Sequence, residues 1–122
     1  METIKIWEGV KSWRRGDENS EYEVYEFEGR RIGELKLTDE DDARYGTTYC
    51  VYETTTGGIV IHSVEWAPVD EEQQAAIFVY DNLYEAAEDG FAYILENMRV
   101  LDQYTYLIED WRREWIERGR MS

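Results

Sequence analysis

The first candidate for a chemical function is an acidic run in "KLTDEDDARYG". The run consists of Asp39, Glu40, Asp41 and Asp42. An EF-hand calcium loop needs glycine at its sixth position and glutamate at its twelfth. Counted from Asp39, those positions hold Arg44 and Cys50, and counted from Asp41 the twelfth is Tyr52. The run is therefore not an EF-hand, and the sequence predicts no metal site.

The single histidine, His62, is the second candidate for chemistry. A two-residue turn at Gly57–Gly58 would place Glu53 opposite His62, and a carboxylate in that position can orient a general base. An ordinary His–Glu pair on a sheet face is the favoured interpretation. Glu53, His62 and Trp66 are nevertheless the predicted residues of a small-ligand pocket.

Nucleophilic and metal chemistry find little support elsewhere in the chain. Cys50, the only cysteine, should point to the sheet face opposite His62, which argues against a Cys–His nucleophile. One histidine and one cysteine cannot build a zinc site. Glu34 and Lys36 have an acid-x-lysine spacing used by metal-dependent nucleases, but a net charge of −15 would repel a nucleic-acid substrate. We therefore predict a protein that is not an enzyme and carries no cofactor.

The negative charge is concentrated in two blocks. Residues 21–42 carry nine acids and three bases, and residues 70–98 carry eight acids and no base. Residues 99–122 balance five acids with five arginines. Such blocks repel nucleic acid and anionic lipid and attract cationic surfaces at long range. The pattern predicts binding to a basic protein surface, which could itself belong to a nucleic-acid-binding protein, and no direct binding to nucleic acid or membrane.

The leading hypothesis is thus a binding protein of inhibitor, immunity, antitoxin or nucleic-acid-mimic type, such as a phage anti-defence protein. The predicted partner-binding residues are Glu21, Glu23, Glu26, Glu28, Asp39, Glu40, Asp41, Asp42, Asp70, Glu71 and Glu72. Exposed tyrosine and tryptophan rings would suit such a surface. Two alternatives stay open: a small-molecule-binding domain with an aromatic pocket, and acidity that is only halophilic solvent adaptation. The sequence is compatible with a homo-oligomer as well as a monomer.

Strands dominate the first part of the chain. The segments "EYEVYEF" and "RIGELKL" flank Gly29–Arg30 and predict a hairpin that pairs Val24 with Leu35 and Glu23 with Lys36. A second hairpin around Gly57–Gly58 would pair Tyr49 with Trp66, Val51 with Val64, and Glu53 with His62. "TIKIW" predicts an N-terminal strand, and "AAIFVYD" a fifth strand.

Helices follow in the last third. Asn82 with Glu85 resembles a capping box that opens a helix over about 83–98, with a kink at Gly90. Apolar residues at helical spacing predict a second helix over about 102–118 that stops near Gly119.

The predicted fold is one α+β domain over residues 1–122. Its antiparallel meander of four to six strands, over about 3–80, precedes two C-terminal helices packed on one face. No secretory signal or membrane span is evident, and the one cysteine suits a reducing compartment, so we expect a cytoplasmic protein.

Overall fold

The structure is a computed structural model that describes residues 2–12, 21–68 and 72–119. An antiparallel sheet is followed by C-terminal helices, which confirms the predicted α+β fold. The strands are β1 (Glu2–Ser12), β2 (Glu21–Thr38), β3 (Gly46–Thr54), β4 (Ile59–Trp66), β5 (Glu72–Tyr80) and β6 (Arg99–Val100). The helices are α1 (Leu83–Ala86), α2 (Ala92–Asn97) and α3 (Thr105–Glu117), with a π-helical turn at Ala87–Phe91 and a 3-10 turn at Asp102–Tyr104.

The strand pairings run round a ring. Each of the first four strands pairs with the next, and β1 also pairs with β5 through Gly9–Ala75 to Ser12–Glu72. The short β6 adds to β2 at Gly33 and Glu34. All of these pairings are antiparallel, so the chain forms an up-and-down meander that returns to its first strand.

The predicted hairpin at Gly29–Arg30 is wrong, because β2 continues through both residues as one strand. Its first half pairs with β1 and its second half with β3, so Val24 lies opposite Trp7 and Leu35 opposite Tyr49. The same finding overturns the predicted pair of Glu23 with Lys36.

Gly29 serves close packing at the point where β2 passes from β1 to β3. A Cβ atom at this position would lie 2.5 Å from the Glu53 carbonyl oxygen and 3.0 Å from the Phe27 ring. Glycine is needed there because another backbone approaches closely, and the sequence alone gives the same signal for a turn.

The second hairpin is confirmed, but its register is not the predicted one. The Thr54 N–H donates to the Gly58 carbonyl over 2.9 Å, which leaves a three-residue loop where two residues were expected. Tyr49 therefore faces Ser63, Val51 faces Ile61, Cys50 faces His62, and Glu53 faces Ile59. The slip of three positions moves each predicted partner to the opposite face, since side chains alternate along a strand.

The helical segment after β5 begins and kinks as predicted. The Asn82 side chain accepts a hydrogen bond from the Glu85 N–H over 2.9 Å, and the Glu85 carboxylate accepts from the Asp81 N–H. Gly90 interrupts the helix with φ of +111°, a conformation that costs glycine little. The segment therefore consists of α1, the π-helical turn and α2.

The helices cover one face of the sheet and bury the main apolar core there. Its fully buried members are led by Ile32, Val51, Ile61 and Leu95, and Trp111 and Trp115 of α3 pack against them. Strand β4 buries four consecutive residues, Ile59–His62, although a half-exposed antiparallel strand buries alternate ones. Val60 and His62 project away from the helix-covered face, so β4 is buried on both sides.

Candidate protein-binding surface

The four predicted glutamates of β2 divide between its two faces. Strand alternation places Glu21 and Glu23 on one side and Glu26 and Glu28 on the other. Glu26 lies 4.0 Å from the Lys5 ammonium, and Glu28 accepts a hydrogen bond from the Thr3 hydroxyl. Two of the four carboxylates are thus partnered by β1, and the structure does not bring all four together.

Glu21 and Glu23 instead meet a third glutamate, Glu8 of β1. Glu8 and Glu23 are direct cross-strand partners, and all three side chains are exposed. They line a shallow cavity of about 420 Å³. Like charges directly opposite each other destabilise a sheet, and no described residue gives these carboxylates an ion pair. We call Glu8, Glu21 and Glu23 the glutamate cluster.

The acidic run at 39–42 forms a turn held by two of its own carboxylates. Asp39 Oδ1 accepts from the N–H groups of Asp41 and Asp42 at 2.8 and 3.3 Å. The Asp42 carboxylate accepts from the Arg44 N–H at 3.0 Å and from its guanidinium at 2.8 Å, and these bonds lower the pKa of Asp42. Glu40 and Asp41 are exposed, so they are the two outward charges of this loop.

One cavity connects the acidic loop with the residues around β5. It has a volume of about 460 Å³, and its lining includes Asp39, Glu65, Trp66 and Glu72. Asp39, Trp66 and Glu72 are thus brought together as neighbours, although Trp66 was predicted for a different site. The Lys36 ammonium lies 5.0 Å from the centre of the Trp66 ring. The predicted residues Asp70 and Glu71 lie outside the described residues.

The predicted pocket of Glu53, His62 and Trp66 does not form, because the hairpin register separates them. Glu53 accepts from Arg30 Nε at 2.9 Å on the helix-covered face, and the Arg30 guanidinium lies 4.6 Å from the Tyr104 ring centre. His62 projects to the other face, where its Nε2 lies 2.7 Å from the Trp7 carbonyl oxygen. Burial lowers the pKa of His62, so the ring is neutral at pH 7 and donates from Nε2. It has a structural hydrogen bond, and none of the described carboxylates forms a hydrogen bond or ion pair with it.

Cys50 lies on the same face as His62, contrary to the prediction, since the two residues pair directly across the strands. The Cys50 thiol lies 3.9 Å from a Glu34 carboxylate oxygen. Burial, with the Glu34 charge, raises the pKa of the thiol, and burial also raises the pKa of Tyr52 to about 12. Nucleophilic cysteines need the opposite environment, so the geometry gives Cys50 no nucleophilic role.

A cavity of about 560 Å³ was missed by the sequence reasoning. It lies between the β3–β4 hairpin, the start of α1 and the length of α3. Its apolar floor includes Ile59, Leu83, Leu107 and Trp111. Its charged residues are Glu53, Glu85, Asp110, Glu114 and Arg118. The only sequence signal was the row of acids beside Trp111 on α3, which resembles an ordinary solvated helix face. We call this cavity the α1–α3 groove.

Within residues 2–12, 21–68 and 72–119, no three histidine, cysteine or acidic side chains are grouped as a metal site would require. None of the helices in the described part of the chain is both long enough and apolar enough to span a bilayer. In comparisons with known proteins, no protein family, curated protein or solved structure matches this chain.

Proposed function

We propose that this chain is a non-enzymatic binding protein that docks a basic surface of another protein. The glutamate cluster is the observation that carries the proposal. A fold that only needed solubility would gain stability by placing a lysine or a neutral residue at Glu8 or Glu23. A cationic partner would relieve the repulsion, so the stability cost in the isolated protein becomes binding energy in the complex.

The distribution of the basic residues supports the same conclusion. Arg30, Arg31, Arg44, Arg112, Arg113 and Arg118 each form an ion pair with an acid of this chain. Lys11 lies over the rings of Trp7 and Tyr22, at 4.4 and 4.5 Å from their centres. Most described cations are thus engaged internally, while Glu40, Asp41 and the glutamate cluster face outward. Their potential would steer a basic partner and speed its association.

Exposed rings beside the carboxylates provide anchors for such a partner. Tyr25 of β2 is 40% exposed and shares the face of Glu21 and Glu23 by strand alternation, and the 48% exposed Tyr22 lies between these two glutamates in the chain. Tyrosine combines a large contact area with a polar hydroxyl and is enriched at protein interfaces. Carboxylates at fixed spacing with adjacent rings suit an inhibitor, immunity protein, antitoxin or nucleic-acid mimic, as in phage anti-defence. Its partner would then be a nucleic-acid-binding protein in the cytoplasm.

The test is an affinity capture from lysate of the source cells, washed at low and high salt, with two matched variants. Glu21→Lys with Glu23→Lys should lose the captured partner, because it reverses part of the glutamate cluster. Glu109→Lys with Glu117→Lys changes net charge equally on exposed positions of α3 and should retain it. A partner held equally by both variants, or capture that does not weaken as salt rises, would contradict the proposal.

A further inference from the structure

The α1–α3 groove combines an apolar floor with a carboxylate rim. Four acids line it, Glu53, Glu85, Asp110 and Glu114, against one base, Arg118. Ile59, Leu83, Leu107 and Trp111 supply apolar surface between them. Its volume of about 560 Å³ is in the range of pockets that enclose a small ligand or a few side chains. A ligand that matches both parts must be cationic at one point and apolar around it.

The rim carboxylates differ in how firmly they are engaged. Glu53 is mostly buried and held by Arg30, so it is part of the fold. Asp110 pairs with Arg113 and Glu114 with Arg118, but all four of these side chains are half or more exposed. Exposed pairs within one helix contribute little and can be exchanged for an incoming cation. Glu85 is in no ion pair within the described chain and accepts only the Asp81 N–H, at 3.1 Å.

Arg118 shows how a guanidinium is recognised at one end of this groove. Its guanidinium lies 4.3 Å from the centre of the Tyr84 ring and donates to Glu114 Oε1 at 2.6 Å. The same contacts raise the pKa of Arg118, led by its side-chain hydrogen bond with Tyr84. Stacking on an aromatic face together with a carboxylate is a favourable setting for arginine, because the guanidinium is planar and weakly hydrated.

Trp111 places a tryptophan ring at the floor of the groove. It is 4% exposed, and its buried indole N–H has no hydrogen-bond acceptor within the described residues. Trp66 shares this property outside the groove, so the indole N–H is not assigned a ligand contact. The Trp111 ring lines the groove and can therefore report binding there.

We propose that the α1–α3 groove binds an arginine side chain of a peptide segment in the basic partner. The guanidinium lies among Glu85, Asp110 and Glu114, and apolar residues flanking the arginine cover the floor. The proposal rests on the proposed function, since the segment belongs to the same basic partner, and it adds a second contact to the glutamate cluster.

The experiment titrates the full chain with the acetylated, amidated tripeptide Leu-Arg-Leu and observes the tryptophan indole N–H signals by NMR. Trp111→Phe assigns its signal, and the same peptide with citrulline at the centre is a neutral isostere. The arginine peptide should shift the Trp111 signal and bind about tenfold more tightly than the citrulline peptide, which corresponds to one carboxylate contact. No shift of the Trp111 signal, or equal binding of the two peptides, would overturn the proposal.

Conservative variants identify the carboxylates. Glu85→Gln with Asp110→Asn should weaken the arginine peptide about fivefold and leave the citrulline peptide unchanged, since only the charge is removed. Glu109→Gln with Glu117→Gln, on α3 but outside the lining, should bind as the wild type does. If both pairs weaken binding equally, the groove is not the site and only the general field acts.

The two proposals fail separately because the titration needs no partner protein. If the peptide binds and the Glu21→Lys, Glu23→Lys variant still captures the partner, the role of the glutamate cluster is refuted and the proposal for the groove stands. If that variant loses the partner but the peptide does not bind, peptide binding in the groove is refuted and the proposed docking function stands.

Discussion

The acidic loop at 39–42 and the glutamate cluster have the same kind of side chain and opposite local energetics. In the loop, Asp39 and Asp42 accept hydrogen bonds from the backbone that follows them, so their charges stabilise the turn. In the cluster, Glu8 and Glu23 face each other across two strands, and no ion pair to either forms within the described residues. A run of acids in the sequence is therefore not by itself a functional surface, and the more scattered glutamates give the better candidate.

The largest expected difference between the two regions is in partner binding. Glu21→Lys with Glu23→Lys should weaken the complex about a hundredfold, since charge pairs at the centre of an interface contribute several kcal/mol. Glu40→Lys with Asp41→Lys changes net charge equally and should weaken it only about tenfold, mainly through slower association. Stopped-flow association and dissociation rates with the captured partner measure both. A larger loss for the loop variant would reverse the ranking of the two surfaces.

Stability should distinguish the regions with a smaller effect. Asp39→Ala is expected to lower the free energy of unfolding by about 1 kcal/mol, because two backbone N–H groups lose their acceptor. Asp39→Asn should restore most of it, since the amide oxygen can accept the same bonds. Urea denaturation measures the change, with Glu40→Ala as the control in the same loop. If Asp39→Ala and Glu40→Ala have equal effects, the turn is not held by the Asp39 side chain.

Removing a charge from the glutamate cluster should raise the free energy of unfolding rather than lower it. Glu23→Gln should raise the free energy of unfolding by about 0.3 kcal/mol, because it removes the repulsion from Glu8. The gain should shrink as salt is added. Glu26→Gln, on the other face of β2, should show no gain because it removes the pairing with Lys5. A loss of stability in Glu23→Gln would show that the facing glutamates are held by favourable contacts.

The smallest effect is a difference in titration within the loop. The pKa of Asp42 is lowered by Arg44, so Asp42 contributes stability above its unfolded pKa of 3.8, and the contribution is lost as pH falls through the lower folded value. Carboxyl-carbon NMR should find the Asp42 midpoint in the folded protein below that in the urea-unfolded chain. Arg44→Gln should raise the Asp42 midpoint. Identical midpoints in wild type and Arg44→Gln would exclude Arg44 as the cause.

The helical part of the fold could be predicted because its signals are local. Asn82 and Glu85 are three residues apart and contact each other. Gly90 interrupts the helix at its own position in the sequence. The strands were also found, but β2 was divided at Gly29. A glycine that admits a neighbouring backbone and a glycine that turns the chain look the same in a sequence.

The candidate sites were harder to predict because they depend on strand register and on distant parts of the chain. The loop lies at 55–57 rather than at 57–58, and the resulting slip of three positions separated Glu53 from His62 and placed Cys50 beside His62. Glu8 was missed because β2 was expected to pair with itself, so nothing brought β1 to Glu23. The α1–α3 groove joins a hairpin to a helix some fifty residues later, and no local pattern records that contact.

The pairing of Gly9 with Ala75 joins the first strand of the sheet to its fifth. β1 and β2 follow each other in the chain, whereas closing the ring brings together strands that lie far apart in the sequence. Contacts between such distant residues must overcome a large loop-closure entropy, so folding should be slow for a domain of this length. Until closure, β1 keeps an open edge that can pair with the edge of another chain. Expression level and temperature should therefore decide the yield of monomer more than the final stability does.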